Sequence, residues 1–130
     1  EALVWYFQKI IDGEEKYFGF NLTRNQSIDQ DNYNENLLWL EGKSYPLPPV
    51  YFHNGGNKKG SKWYIKDEFD MVNIVFEISD YFKIHVHLGL FDVNYNLPFG
   101  TITGYVSDHN GKKYIVDGMS ALAEDKTTRM

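Results

Sequence analysis

The chain has 130 residues, enough for one domain with a buried core, and it carries a net charge of -5 with no Lys/Arg cluster. That balance argues against a nucleic-acid groove or an anionic membrane face. The absence of cysteine excludes disulfides, thiolate nucleophiles and Cys-ligated metals, and suits a reducing, cytoplasmic setting.

Aromatic residues reach 17%, which favours strands and large buried areas. Leu3 to Ile11 is a β-rich run that Asp12-Gly13 breaks, a hairpin signal. The first residues show no basic region before the apolar run, so no signal peptide is expected, and the abrupt strand-like start suggests a domain excised from a longer protein. Lys16 to Thr23 alternates with period two: Phe18, Phe20 and Leu22 face one way, Tyr17, Gly19 and Asn21 the other. Arg24 to Tyr33 is a polar loop. Asn36 to Glu41 is the next strand, with Asn36, Leu38 and Leu40 on one face and Glu35, Leu37 and Trp39 on the other. Glu41-Gly42-Lys43 turns it into another hairpin.

Pro46, Pro48 and Pro49 make Tyr45 to Phe52 an edge strand or an extended crossing segment, because proline donates nothing to a ladder. Asn54 to Gly60 is a glycine-rich surface loop with His53 at its start. Strands follow at Lys62 to Lys66, Met71 to Ser79, Tyr81 to Phe91 and Phe99 to Ser107. Asn110-Gly111 is a further hairpin turn, and Lys112 to Asp117 closes the strand set. Ser120 to Lys126 suggests one short helical turn capped by Ser120. The expectation is therefore an all-β domain over residues 1–130, an antiparallel barrel or closed sandwich of about eight to ten short strands with little or no helix. No run reaches the roughly 18 apolar residues of a spanning helix, so membrane insertion is not expected.

Chemistry-bearing patterns are sparse. His85 and His87 share a strand face with Tyr81 and Lys83, opposite the apolar row Phe82, Ile84, Val86, Leu88 and Leu90. Two imidazoles at i and i+2 can begin a metal site, but no third ligand is evident, so the expectation is a solvent-facing strand side and no metal. Asp67, Glu68 and Asp70 read as a solvated turn, and Asp108-His109 as a hairpin tip. There is no nucleophile elbow, phosphate loop or dinucleotide fingerprint, and no cofactor is expected. Polar residues on strand faces are more informative, since burial demands a partner for each polar atom.

Several stretches in series resemble the C-terminal part of a bacterial family, the domain of unknown function numbered 2804. They are Gly19-Phe20-Asn21-Leu22, Asn34-Glu35-Asn36 through Gly42, Trp63 to Asp67, Phe99-Gly100-Thr101-Ile102-Thr103-Gly104, and the tail from Ala123-Glu124 to Arg129. The family's usual final Arg-Trp is Arg129-Met130 here. The family is itself remotely similar to two-barrel, lipocalin-like (calycin-like) proteins of the hydroxyneurosporene synthase type. The resemblance implies a β-barrel half, a preceding N-terminal domain as partner, and a small lipophilic ligand. Ligand-binding candidates are then Asn21, Glu35 and Asn36, followed by Glu124 and Arg129. Two other readings stand beside it. One is half of an enzyme acting on a lipid-like substrate, with Glu35 as acid/base and His85 or His87 after it. The other is a structural or interaction domain without a ligand.

Overall fold

The computed structural model describes residues 2–11, 14–24 and 36–129. Its strands are β1 (Ala2–Ile11), β2 (Glu14–Thr23), β3 (Leu37–Leu40), β4 (Lys43–Pro46) and β5 (Tyr51–Asn54). They continue as β6 (Lys62–Lys66), β7 (Val72–Leu88), β8 (Phe91–Ser107), β9 (Lys113–Ile115) and β10 (Met119–Arg129). No helix forms among the described residues, and none is long and apolar enough to cross a membrane. All pairings are antiparallel, in the order β4-β3-β2-β1-β10-β8-β7-β6-β5, with β9 also pairing β8.

Flat, nine strands in that order would hold β4 and β5 about 38 Å apart, at roughly 4.8 Å per gap. The chain from Pro46 to Tyr51, at the facing ends of those strands, reaches only about 18 Å fully extended. The sheet therefore curls. It is not closed by a ladder, because β4 and β5 each pair on one side only among the described residues. Segment 47–50 crosses the gap instead, as its prolines require. Leu47 and Val50 are buried in the core, and the Leu47 N–H donates to the Asn36 carbonyl at 2.9 Å.

The core fills the curl. Phe18, Phe20, Leu22, Leu38, Trp63, Ile65, Ile74, Phe76 and Ile102 are completely buried. Trp63 stands edge-on to Phe76 at 5.7 Å and to Phe52 at 6.3 Å, and its indole N–H donates to the Gly56 carbonyl at 2.7 Å. The tilted Phe18–Tyr114 pair at 5.5 Å joins β2 to β9 across the interior. These are the alternating apolar rows that period two assigns to one face.

Three sequence expectations change. Ser120 to Lys126 lies inside β10, where Ala121 and Ala123 are buried and Leu122 is exposed; the ladder to β8 supplies the hydrogen bonds a helical turn would have made. The two runs read as separate strands at Met71 to Ser79 and Tyr81 to Phe91 form one strand, β7, folded on β8 about Gly89-Leu90. β8 itself begins at Phe91, so 92–98 is strand despite its asparagines and Pro98. The Asp12-Gly13 turn lies outside the described residues, although Ile11 and Glu14 are in register as a two-residue loop requires.

The long hairpin also contains a bulge. Ile78 opposes Gly100 but Asp80 opposes Phe99, so Ser79 is an extra residue in β7. Beyond it, Phe82 and Ile84 pair with Leu97 and Tyr95, on the face of Phe99 and Thr101. The apolar row of this half of the hairpin consequently points away from the core, opposite to Ile74, Phe76 and Ile78.

Candidate functional site

The two asparagines and the glutamate of the Asn34-Glu35-Asn36 motif separate here. Asn34 and Glu35 lie outside the described residues. Asn36 enters β3 on the side of Leu38 and is 2% exposed. Its Oδ1 accepts the Thr23 backbone N–H at 2.8 Å and the Thr23 hydroxyl at 3.4 Å, while its Nδ2 donates to the Pro48 carbonyl at 2.9 Å. Arg24 adds a second tie, donating from Nη1 to the Val50 carbonyl at 3.1 Å with its guanidinium 4.4 Å from the centre of the Tyr51 ring. Asn36 thus clamps the end of β2 to the crossing segment. Its polar atoms face protein groups, the arrangement a buried amide requires.

The other candidates take different places. Asn21 is half-buried on β2 on the face away from Phe20 and Leu22, in register with Val4 and Leu37. Glu124, in register with Ala2, alternates with the buried Ala123 and so faces outward as well. Arg129 stands in register with Asp92 at the far end of β10.

That last register lies in a polar stretch of the sheet. On β8, Asp92, Asn94 and Asn96 follow the buried Pro98 along one face. Their partners are His87, His85 and Lys83 on β7 and Arg129, Thr127 and Asp125 on β10. The core face thus continues past Pro98 and Ala123 as a polar ladder of nine positions across the three strands.

Its acids are held within the fold. His87 Nδ1 donates to Asp92 Oδ1 at 2.5 Å and His85 Nε2 to the same oxygen at 3.2 Å. Asp125 Oδ2 accepts from Asn54 Nδ2 at 3.2 Å and Asn57 Nδ2 at 3.3 Å, tying the β5–β6 loop to β10. Asn57 Oδ1 is buried with no hydrogen-bond partner among the described residues. No group of three or more His, Asp or Glu among the described residues is arranged to hold a metal ion. Chemically, Asp92 orients the His87 ring through Nδ1 and leaves Nε2 outward, a geometry competent for proton transfer.

The hydrogen bond from His87, then that from His85, holds the Asp92 carboxyl below the usual carboxylate range. A folded value below the unfolded one stabilises the fold above the unfolded value, and that contribution is lost as pH falls through the folded value. An NMR titration of the Asp92 carboxyl carbon is expected to give a midpoint below that of a free aspartate, and His87→Gln to move it upward. An unchanged midpoint in the variant would remove His87 as the principal cause.

At the opposite end, Tyr105 first and Lys113 second hold Asp70 low, and the same pairing raises Lys113. Lys113 Nζ lies 3.2 Å from Asp70 Oδ2 and 4.2 Å from the centre of the Tyr105 ring. Asp67 meanwhile accepts three backbone N–H groups of its own turn, those of Phe69, Met71 and Val72. These acids organise the β6–β7 turn, as the solvated-turn reading expects.

On the opposite face of the ladder lies the apolar row exposed by the bulge. Phe82 is 62% exposed and stacks on Phe99 at 5.7 Å, Ile84 is 47% exposed, and Leu122, in register with Phe99, is 52% exposed. Sequence reasoning missed Asp92 and the exposure of this row. Leu88-Gly89-Leu90-Phe91 does carry a Gly-X hairpin signal, which sets His87 opposite Asp92, but an apolar run hides it.

Comparison with curated proteins and with solved structures yields no match. The model of one family, described as a domain of unknown function (DUF2804), matches residues 2–130. The match takes in the strand ends clamped by Asn36, the close β7–β8 pairing at Gly100 and Gly104, and the polar ladder. By that match over nearly its whole length, the chain belongs to the DUF2804 family.

Proposed function

We propose that this is an interaction domain whose working surface is the projecting sheet of β7, β8 and β10. One observation carries the reading. The aromatic and aliphatic side chains on the inner face pack against one another, whereas Phe82, Ile84 and Leu122 gather in the open on the other face. Contiguous exposed apolar groups rimmed by polar ones are typical of binding surfaces. The lipocalin-like reading of the fold belongs to the same proposal, supported by the antiparallel order and by the short crossing from β4 to β5. The family resemblance offers one partner, an N-terminal half of the same protein.

A second reading is the binding of a small apolar or amphipathic molecule on the same face; the exposed Phe82 ring, stacked on the half-buried Phe99, favours it. Photo-crosslinking separates the two. A benzophenone side chain at position 84 is expected to yield protein adducts in cells, and the same group at exposed Tyr64 to yield few. Adducts of lipid mass at position 84 would replace the first reading with the second. Equal labelling at both positions would overturn both.

A further inference from the structure

The chain holds two asparagine–glycine pairs, Asn54-Gly55 and Asn110-Gly111. In such a pair the glycine amide nitrogen can attack the carbonyl carbon of the asparagine side chain. The new N–C bond closes a five-membered succinimide, and the carboxamide nitrogen leaves as ammonia. Water then opens the ring at either carbonyl, leaving aspartate or isoaspartate. No oxidant, metal or cofactor takes part. Glycine favours the attack because no side chain hinders its nitrogen and its backbone is free to turn.

The fold treats the two pairs differently. Asn54 ends β5, half-buried and in register with Trp63. Its Oδ1 accepts the Gly56 N–H at 2.7 Å and its Nδ2 donates to Asp125 Oδ2 at 3.2 Å, so both ends of the carboxamide are held. The Gly55 N–H donates to the Lys62 carbonyl at 3.0 Å, and a Cβ on Gly55 would stand 2.3 Å from that oxygen. Ring closure at Asn54 must therefore break the β5–β6 pairing and the tie to β10 together.

Asn110 and Gly111 are both exposed, in the turn between β8 and β9. The Asn110 backbone N–H donates to Asp108 Oδ1 at 2.9 Å, while its carboxamide has no partner among the described residues. Space around Gly111 is open, with nothing within 4 Å of a Cβ built there. Ring closure has one exposed turn bond to open, from the Gly111 N–H to the Asp108 carbonyl at 3.1 Å.

That turn also works as a latch. Asp108 Oδ1 accepts the Lys112 N–H at 3.0 Å, and Oδ2 accepts the Tyr114 hydroxyl at 3.2 Å. His109 stacks on Tyr45 of β4 with ring centres 5.7 Å apart. Isoaspartate would lengthen the main chain between residues 110 and 111 by one atom, shifting the donors that Asp108 holds. Either product would add a carboxylate beside that of Asp108, and like charges repel.

We propose that Asn110 is a site of spontaneous covalent modification: the fold exposes Asn110-Gly111 to succinimide chemistry, shields Asn54-Gly55 from it, and makes the product loosen β9 from its contact with β4. The site lies at the other end of β8 from the projecting sheet and is independent of the interaction reading.

The test is to age the intact chain in warm, mildly alkaline buffer and follow both asparagines by peptide mapping with mass spectrometry. In the folded protein Asn110 is expected to convert about tenfold or more faster than Asn54, since local opening sets the rate at a protected site. In urea the two rates are expected to converge. The melting temperature should fall as the modified fraction grows, and Asn110→Gln, whose ring closure is far slower, should keep the melt of the fresh protein. Equal rates in the folded chain, no conversion at Asn110, or conversion at Asn54 first would overturn the assignment. So would a modified protein that melts like the fresh one, or an Asn110→Gln protein that loses stability on ageing as the parent does.

Discussion

Asn36→Leu is expected to lower the unfolding free energy by about 3 kcal/mol. Leucine keeps the shape but leaves the Thr23 N–H and the Pro48 carbonyl without Asn36, and each buried group left unpaired costs about 1–3 kcal/mol. The prolines of the crossing segment have no N–H, so that segment depends on bonds to its carbonyls and on its Leu47 amide. Asn36→Asp keeps the acceptor for Thr23 but loses the donor to Pro48 and buries a carboxylate against that carbonyl, so at neutral pH a loss at least as large is expected. Urea denaturation measures both. Asn36→Leu within about 0.5 kcal/mol of the parent would show that the Asn36 side chain is not what holds the crossing segment.

Gly104→Ala is expected to be costlier still, about 4 kcal/mol. A Cβ at Gly104 would stand 1.9 Å from the Asn73 carbonyl oxygen, and the residue has φ +117. The clash is with backbone, so no rotamer relieves it and β7 must move away from β8. Strain at that φ adds about 1–3 kcal/mol. Gly100 faces the Glu77 oxygen at the same 1.9 Å without the positive φ, so Gly100→Ala should cost less than Gly104→Ala. Gly111→Ala, with nothing within 4 Å and φ +84, should lose only about 1 kcal/mol. Thermal or chemical melts of the three variants check that ranking, and a Gly104→Ala protein as stable as Gly111→Ala would contradict it. The Phe99-Gly100-Thr101-Ile102-Thr103-Gly104 stretch thereby acquires a structural meaning: it lets two long strands approach where side chains would hold them apart.

Strands whose apolar residues alternate over one uninterrupted face were legible from sequence. Lys62–Lys66 is strand with the bounds read from its pattern, and Phe18, Phe20 and Leu22 are buried as their spacing indicates. The proline-rich stretch was legible as a crossing segment because a missing N–H is a property of the residue itself. β10 was misread as helical because Ala121, Ala123 and Glu124 are good helix formers; their strand conformation depends on β8, which lies elsewhere in the sequence. The candidate site was less legible. Asn36 was read as a residue on an apolar face, and the structure supplies its partners, Thr23 and Pro48, from other elements. His85 and His87 were visible, but Asp92 joins them only through the register of β8 on β7.

The sequence by itself determined an all-β chain, most of its strands, and the row of apolar residues that fills the curl, because these follow from side-chain period, turn chemistry and composition. Tertiary structure alone decided which way the row beyond Ser79 points. A period-two pattern reports that alternate residues share a face, without saying which face the core occupies. One inserted residue, recognisable only by pairing with Gly100 and Phe99, reverses that assignment and turns an expected core row into an exposed surface.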